Sequence, residues 1–590
     1  MTSMKDTWDI SRRNLLKGAG AGAAVLGLAG CSSGSADGSD AGSSATSAAA
    51  VTENEAEAVT CSSDHIGLSE EDTQSWLEAE VYNVDAQAAI AEDLESQKDG
   101  QTLAAPLVVY NPFGTNSQSL YVYFTTEEAA TVEYTVSISD EAFAAIDDAT
   151  LTADSIADFT RSVNDGESGT EFEFSLYGLV PNAENTVTIT ATYEDDDVET
   201  TTFVCDMCDV IGDEELQLVA TDGESDAELE GGLYAHLGNE HSVGNEVISF
   251  YDNDGILRGE IPLVGRSQRL IFEDGLMYFN YSYFDFTAMN ELGRVVKDYT
   301  LDEEGIRRYR IHHDYISNGD YLFILGTDNF SDTIEDLVYF LNKETGEVDY
   351  ILDMGDLMGS YKEQAIACNL ENDGDADEDG HTVDWIHINT VQWMGDDSLL
   401  LSCREISSII KVSDVFGEPY IDYIISSKEY WEGTEYEDLV LDQDGEFTVQ
   451  GGQHSITYEE DDGLEDGQYY IYMYNNNIGY SQDFTSDFDY ASVGLTVAST
   501  TSDEEGVYSY YYKYLVDEDA DTFSLADSFE VPYSGLFSSV QELDSNIVVD
   551  SGYIADETAE YGEYGEDGEL IRSYTVKVES VLYRVYKYDL

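Results

Sequence analysis

Four short segments gather the side chains best able to do chemistry: Ile311-His312-His313-Asp314, Asp384-Trp385-Ile386-His387-Ile388-Asn389, Ser402-Cys403-Arg404 and Gly452-Gln453-His454. A neutral imidazole can act as nucleophile or carry a proton near neutral pH. A guanidinium grips an oxyanion with a planar fork. Of the eight histidines in the chain, four stand in these segments: His312, His313, His387 and His454. The others, His65, His236, His241 and His381, are expected to be ordinary surface or core residues. The charge balance sharpens the choice, because 24 Lys+Arg face 123 Asp+Glu, a formal net charge of −99. Such a field repels nucleic acid and anionic membrane surfaces. An anionic ligand therefore needs a site where the few Arg, Lys and His side chains are concentrated.

Residues so far apart in sequence need elements that bring them together. Beyond residue 209, hydrophobic strands recur on either side of polar, glycine-containing turns, as at Val247–Tyr251 before Asp254-Gly255 and 339–342 before Thr345-Gly346. This repeat predicts a β-propeller, in which inner strand ends from separate blades converge on one channel. Helix signals nearly vanish there. Residues 103–208 show short alternating strands, which predict a β-sandwich of immunoglobulin or fibronectin kind. Leu77, Val81, Val84, Ala88, Ala91 and Leu94 fall on one helical face, so 69–97 is expected to be one helix opened by Ser69 and Asp72. Trp385 and Trp393 are expected in the propeller core.

The amino terminus is an address. Ser11-Arg12-Arg13-Asn14-Leu15-Leu16-Lys17 is a twin-arginine signal, and the apolar run after it ends in Leu28-Ala29-Gly30-Cys31, a lipobox. Export is expected, with Cys31 lipidated and membrane association through that anchor only. Gly18, Gly20 and Gly22 leave with the signal and cannot serve a nucleotide. The organisation read from the chain is signal 1–30, flexible tether 31–65, helix plus β-sandwich 66–208 and catalytic propeller 209–590. Cys61, Cys205, Cys208, Cys368 and Cys403 are expected as disulfides or thiols rather than metal ligands, since Cys205 and Cys208 lack a second ligand pair. Their pairing stays open. Asp375 to Gly380 begins like a calcium loop, but Ile386 stands where the closing acid belongs, so a solvated acidic turn is expected.

Taken in order, the four segments resemble those of the bacterial arylsulfotransferases. Tyr110-Asn111-Pro112-Phe113-Gly114 and Tyr177-Gly178-Leu179-Val180-Pro181 are similar to that family's small amino-terminal domain. The resemblance runs from about residue 103 to the carboxyl end. It implies a mainly β chain, a six-bladed β-propeller preceded by a small immunoglobulin-like β-sandwich. It also implies transfer of a sulfuryl group from a phenyl sulfate to an acceptor phenol through a sulfohistidine, with no nucleotide donor, cofactor or metal. By the same resemblance His454 is the nucleophile and Arg404 holds the sulfuryl oxygens. His387 and His313 hydrogen-bond those oxygens, one of them also exchanging the phenol proton. His312, Asn389 and Asp384 bind or position. Strand alternation sends His312 and His313 to opposite sides, and His313, beside Asp314, is preferred for the channel. Related enzymes include dimers, so a homodimer is one expected assembly. Two other readings compete: a hydrolase in which water intercepts the sulfohistidine, and a binding propeller with an inactive site, for which His454 would be dispensable.

Overall fold

A computed structural model of the chain describes residues 50–61, 70–146, 156–212, 214–238, 246–301, 306–372, 383–481, 488–502, 504–555, 558–578 and 581–590. Cys31, His65, His241, His381 and the 375–380 acidic run lie outside these residues, as does Ser69.

Six mainly antiparallel sheets make a six-bladed propeller; the outer strand Asp442–Asp444 of the fifth runs parallel to its neighbour. The inner strands, in order round the ring, are Arg584–Tyr588, Ile271–Glu273, Tyr309–Ser317, Ile388–Trp393, His454–Glu459 and Ser539–Glu542. The ring closes twice with strands from opposite ends of the domain. Arg584–Tyr588 pairs with Leu233–Leu237 in the first blade, while Val219–Asp222 pairs with Leu570–Lys577 in the last. Each closure ties residues more than 300 apart, so the channel forms only when the whole ring has folded. The strands are buried on both faces by neighbouring blades, hence the continuous apolar runs at Leu399–Cys403 and Leu337–Asn342.

The amino-terminal unit is the expected β-sandwich. Its long strand, Leu120–Ile138, changes partners along its length. The first part pairs with Gly169–Leu176 and the second with Glu184–Tyr193, with a register break between Thr125 and Ala130. One strand thereby serves both layers. Buried Arg258 ties this unit to the first blade, bonding Asp252 at 2.7 Å and the carbonyl oxygens of Gly178 and Ala157 at 3.0 Å. A disulfide joins Cys61 to Cys208, and Cys205 and Cys403 are buried thiols.

Two helix expectations need correction. The single helix over 69–97 is instead Glu70–Trp76 running into a π turn, Leu77–Val81, and then a separate helix, Val84–Glu95. Asn83 makes the break: its extended backbone cannot continue the first helix, and its side chain caps the second by accepting from the Ala86 amide at 3.0 Å. Leu77, Val81 and Leu94 are buried as expected. The propeller also carries helices at Met354–Leu357 and Gly359–Asn372, inserted between the third and fourth blades. Met354, Met358, Tyr361 and Ala365 recur at helical spacing and bury against Trp385. That pattern was present in the sequence, overshadowed by the strand repeat around it.

Candidate active site

The candidate residues sit where inner strands are bent. The ladder slips between Ile311 and Tyr315, between Ile388 and Thr390, and between His454 and Thr457. His313 and Ser455 within two of these bulges, and His387 just before the strand that carries the third, adopt left-handed backbone, with φ of 52°, 55° and 52°. Non-glycine residues in that region cost on the order of 1–3 kcal/mol each and gather where function over-determines the fold. Three adjacent blades thus use the same device to turn side chains toward one place. The bulge also cancels the alternation expected at His312 and His313, and both line the same cavity.

His454 is the most constrained of the group. It is 2% exposed, and its Nδ1 faces two acceptors: the Gly452 carbonyl oxygen at 3.1 Å and Asn476 Oδ1 at 2.8 Å. The Asn476 amide is oriented by its own donations to Ser534 O (2.8 Å) and Phe537 O (3.0 Å). Nδ1 must therefore carry the proton, which leaves the lone pair on Nε2. Burial, and then the charge of Arg404, hold the His454 pKa well below its usual value against the bond to Asn476. The ring is neutral at neutral pH.

His387 is the opposite case. Its Nδ1 meets Glu335 Oε2 at 2.7 Å and also bonds Asp384 Oδ2. Burial works against the charged ring, but the two carboxylates outweigh it and raise the pKa to about 10. The Asp384 carboxyl is itself raised, by burial first, against the pull of His387. His313 packs edge-on to His387, ring centroids 4.7 Å apart, and its Nδ1 lies 2.9 Å from that of His312. One of these two rings donates and the other accepts. Burial lowers both, His312 to about 4, over the opposing pull of Glu335.

Arg404 is 7% exposed and bonds the carboxylate of Glu405, which also accepts from Ser481 Oγ at 2.8 Å. The Arg404 amide donates to the His387 carbonyl at 2.9 Å, joining the strand ends that carry them. Asn389 does not reach outward: its Nδ2 donates to the Gln453 carbonyl at 2.8 Å and so anchors the backbone one residue before His454. Asp314, wholly buried, accepts from Arg584 (2.7 Å), Arg269 (3.2 Å) and the Val391 amide (3.2 Å), tying four inner regions together. His236 packs against Tyr251 and Tyr561, away from the candidate site. Trp385 is buried and donates to Asp336 at 2.8 Å, and Trp393 stacks on Phe323, so both serve the core.

Beside His312, His313 and Glu335 opens a cavity of about 290 Å³, walled also by Arg266, Tyr283, Arg310, Phe537 and Tyr583. Tyr583 donates to the His313 carbonyl at 3.0 Å, and Phe537 lies 6.5 Å from His454 between ring centroids. His387 meets the cavity through His313 and Glu335. Among the described residues, His312, His313 and Glu335, and likewise Glu335, Asp384 and His387, bring ligand atoms within 4.8 Å of one another, a spacing that could hold a metal ion. Sequence reasoning missed Glu335, Asn476 and the arginines at the cavity wall. Glu335 is one carboxylate among many. The run Arg307-Arg308-Tyr309-Arg310 just before His312, by contrast, was a visible signal in so acidic a chain.

The family model described as Arylsulfotransferase (ASST) matches residues 219–585. The chain belongs to the arylsulfotransferase family. It is a sulfotransferase enzyme with aryl sulfotransferase activity. The Arylsulfotransferase Ig-like domain matches residues 107–207, and a twin-arginine translocation pathway signal matches 9–29, so the arylsulfotransferase is exported by that route. No curated protein matches it. Among solved structures it is similar to a virginiamycin B lyase from Staphylococcus aureus, 11% identical over 61% of this chain and 99% of that one, TM-score 0.26. It is also similar to BamB from Moraxella catarrhalis, 8% identical over 62% and 98%, TM-score 0.26. A functionally unknown protein from Desulfotomaculum acetoxidans is 9% identical over 60% and 99%, TM-score 0.31. At these scores the likenesses carry no argument about activity.

Proposed function

We propose that this enzyme moves a sulfuryl group from an aryl sulfate to an acceptor phenol in two steps through a sulfohistidine on His454. One observation carries the reading: a buried, neutral imidazole has both of its Nδ1 neighbours as acceptors, which leaves Nε2 as a nucleophile beside the charge of Arg404. In the first step the Nε2 lone pair attacks sulfur in line. The bond from sulfur to the aryl oxygen breaks, and the phenolate leaves with a proton from His387. In the second step the acceptor phenol oxygen attacks the same sulfur, the Nε2–S bond breaks, and His387 recovers a proton from the acceptor. A pKa of about 10 on His387 lies close to that of a phenol, which has an ordinary value of about 10. Proton transfer is then nearly balanced in both directions.

The sulfuryl group itself reacts through a loose transition state with charge on its outer oxygens, by analogy with phosphoryl transfer. Arg404 and whichever of His312 and His313 carries its proton on Nε2 supply donors for those oxygens. Phe537, Tyr283 and Tyr583 offer aromatic walls for the ring. Asn389 and Asp384 are positioning residues. Lipidation at Cys31, following the lipobox, would hold the exported enzyme at the membrane.

The test is intact-mass analysis after exposure to an aryl sulfate without acceptor. The wild type should gain a single sulfuryl adduct, mapped to residue 454, that disappears when a phenol is added. An adduct on His454→Ala, together with continued turnover, would remove His454 from this role.

A further inference from the structure

Three side chains on the cavity wall converge more closely than sulfuryl transfer requires. His312, His313 and Glu335 each bring one ligand atom within 4.8 Å of the others. The two imidazole Nδ1 atoms lie 2.9 Å apart, and Glu335 Oε2 is 3.8 Å from that of His313. Ligand atoms on one tetrahedral zinc ion, at ordinary bond lengths, stand about 3.3 Å apart. The observed spacings fall on either side of that value.

The hydrogen-bond inventory points the same way. His387 Nδ1 has one hydrogen to give, and Asp384 Oδ2 takes it. Glu335 Oε2, although 2.7 Å from the same nitrogen, is buried and has no hydrogen bond of its own among the described residues. Buried carboxylate oxygens are ordinarily paired or bound to a metal. Burial also keeps both imidazoles unprotonated, the form that ligates. Arg310 on the same wall opposes a cation. A hard ion held mainly by charge, such as calcium or magnesium, is therefore disfavoured, whereas two imidazoles select a metal of the zinc class.

We infer that His312, His313 and Glu335 bind one divalent ion of the zinc class, with a fourth position open to the cavity. Glu335 can face His387 and ligate at once, since a carboxylate offers about four acceptor positions. Whichever ring carries its proton on Nδ1 moves it to Nε2 when the metal binds, so no proton is released. A water or a ligand oxygen in the cavity of about 290 Å³ completes the tetrahedron. The site goes beyond the sulfohistidine reading and does not depend on it.

The test is a calorimetric titration of zinc into the purified, folded enzyme after chelator treatment. Millimolar magnesium is present, to fill the carboxylate sites of a chain with 123 acidic residues. The wild type should take up one zinc ion per chain. Glu335→Gln and His312→Gln should each weaken binding by at least about tenfold, no less than is usual for loss of a group that merely supports a ligand. Circular dichroism checks that each variant is folded. Cobalt bound to the wild type gives a reading that needs no variant: intense visible bands of a low-coordinate ion support the site, and the weak spectrum of an octahedral ion overturns it. Zinc uptake that magnesium abolishes would overturn it too. So would unchanged affinity in His312→Gln, and with binding lost in Asp384→Asn the ion would belong instead to Glu335, Asp384 and His387. None of these readouts is turnover, so a failure of the sulfohistidine mechanism would leave the metal result standing, and the reverse.

Discussion

Asn476 Oδ1 lies 2.8 Å from His454 Nδ1, while the nitrogen of the same amide donates to the carbonyls of Ser534 and Phe537. One side chain therefore fixes the tautomer of the imidazole and the loop that carries Phe537 into the cavity wall. Asn476→Ala should slow sulfuryl uptake by about 10- to 100-fold, the kinetic equivalent of one hydrogen bond to a developing charge. The check is single-turnover formation of the adduct. An unchanged rate would mean that the tautomer is set without Asn476.

The pH dependence follows from two opposite shifts. His454 is held neutral by a pKa well below 6.5, so its protonation should produce no loss of activity near neutral pH. In the proposed mechanism His387 must be protonated to release the first phenol, and with its pKa raised to about 10 it keeps that proton through neutral pH. Donor half-reaction rates, measured without acceptor so that no acceptor phenol titrates, should stay level through neutral pH and fall as pH rises through about 10. Asp384→Asn removes one of the two carboxylates, lowers the His387 pKa and should bring that alkaline fall to lower pH. A fall at the same pH in both proteins would exclude His387 as its source.

Arg404 presents a planar fork that lysine cannot copy. Arg404→Lys keeps a positive charge beside buried Glu405, so the fold should survive. Loss of paired donors to the sulfuryl oxygens should nonetheless cut kcat/KM by roughly 100-fold. Rates near wild type would take Arg404 out of the reaction.

Asp314 is a different kind of residue, although it adjoins His313. Its carboxylate neutralises Arg584 and Arg269 at a point where Arg584 is 1% and Asp314 0% exposed in the side chain. Asp314→Ala leaves two guanidiniums without their shared partner. Breaking such a pair should destabilise the enzyme by about 3–5 kcal/mol. Chemical denaturation measures it, and a loss below about 1 kcal/mol would show that the network is dispensable.

Much of the architecture was legible because its signals are local. Alternation, turn glycines and the twin-arginine signal each occupy fewer than about a dozen residues, and the histidine segments are compact enough to recognise in order. The failures were of two kinds. The break at Asn83 was readable in principle, since an asparagine at a helix start is a cap, but the apolar face running through Val84 suggested continuity. The helix Gly359–Asn372 was likewise marked by its own spacing and hidden by the strand pattern of its surroundings.

The residue types alone established an exported, acid-coated, β-rich chain with imidazoles and a guanidinium in distinctive settings, because composition and short-range periodicity are properties of the chain before it folds. They could not say which carboxylate would charge His387, which amide would hold His454 neutral, or that His312 and His313 would share a cavity. Those outcomes depend on pairings such as His454 with Asn476, made across neighbouring strands of one blade, and His387 with Glu335, made between two blades. They depend also on left-handed bulges that overrule strand alternation. A pKa is decided by burial and neighbouring charge, and neither exists until the ring has closed.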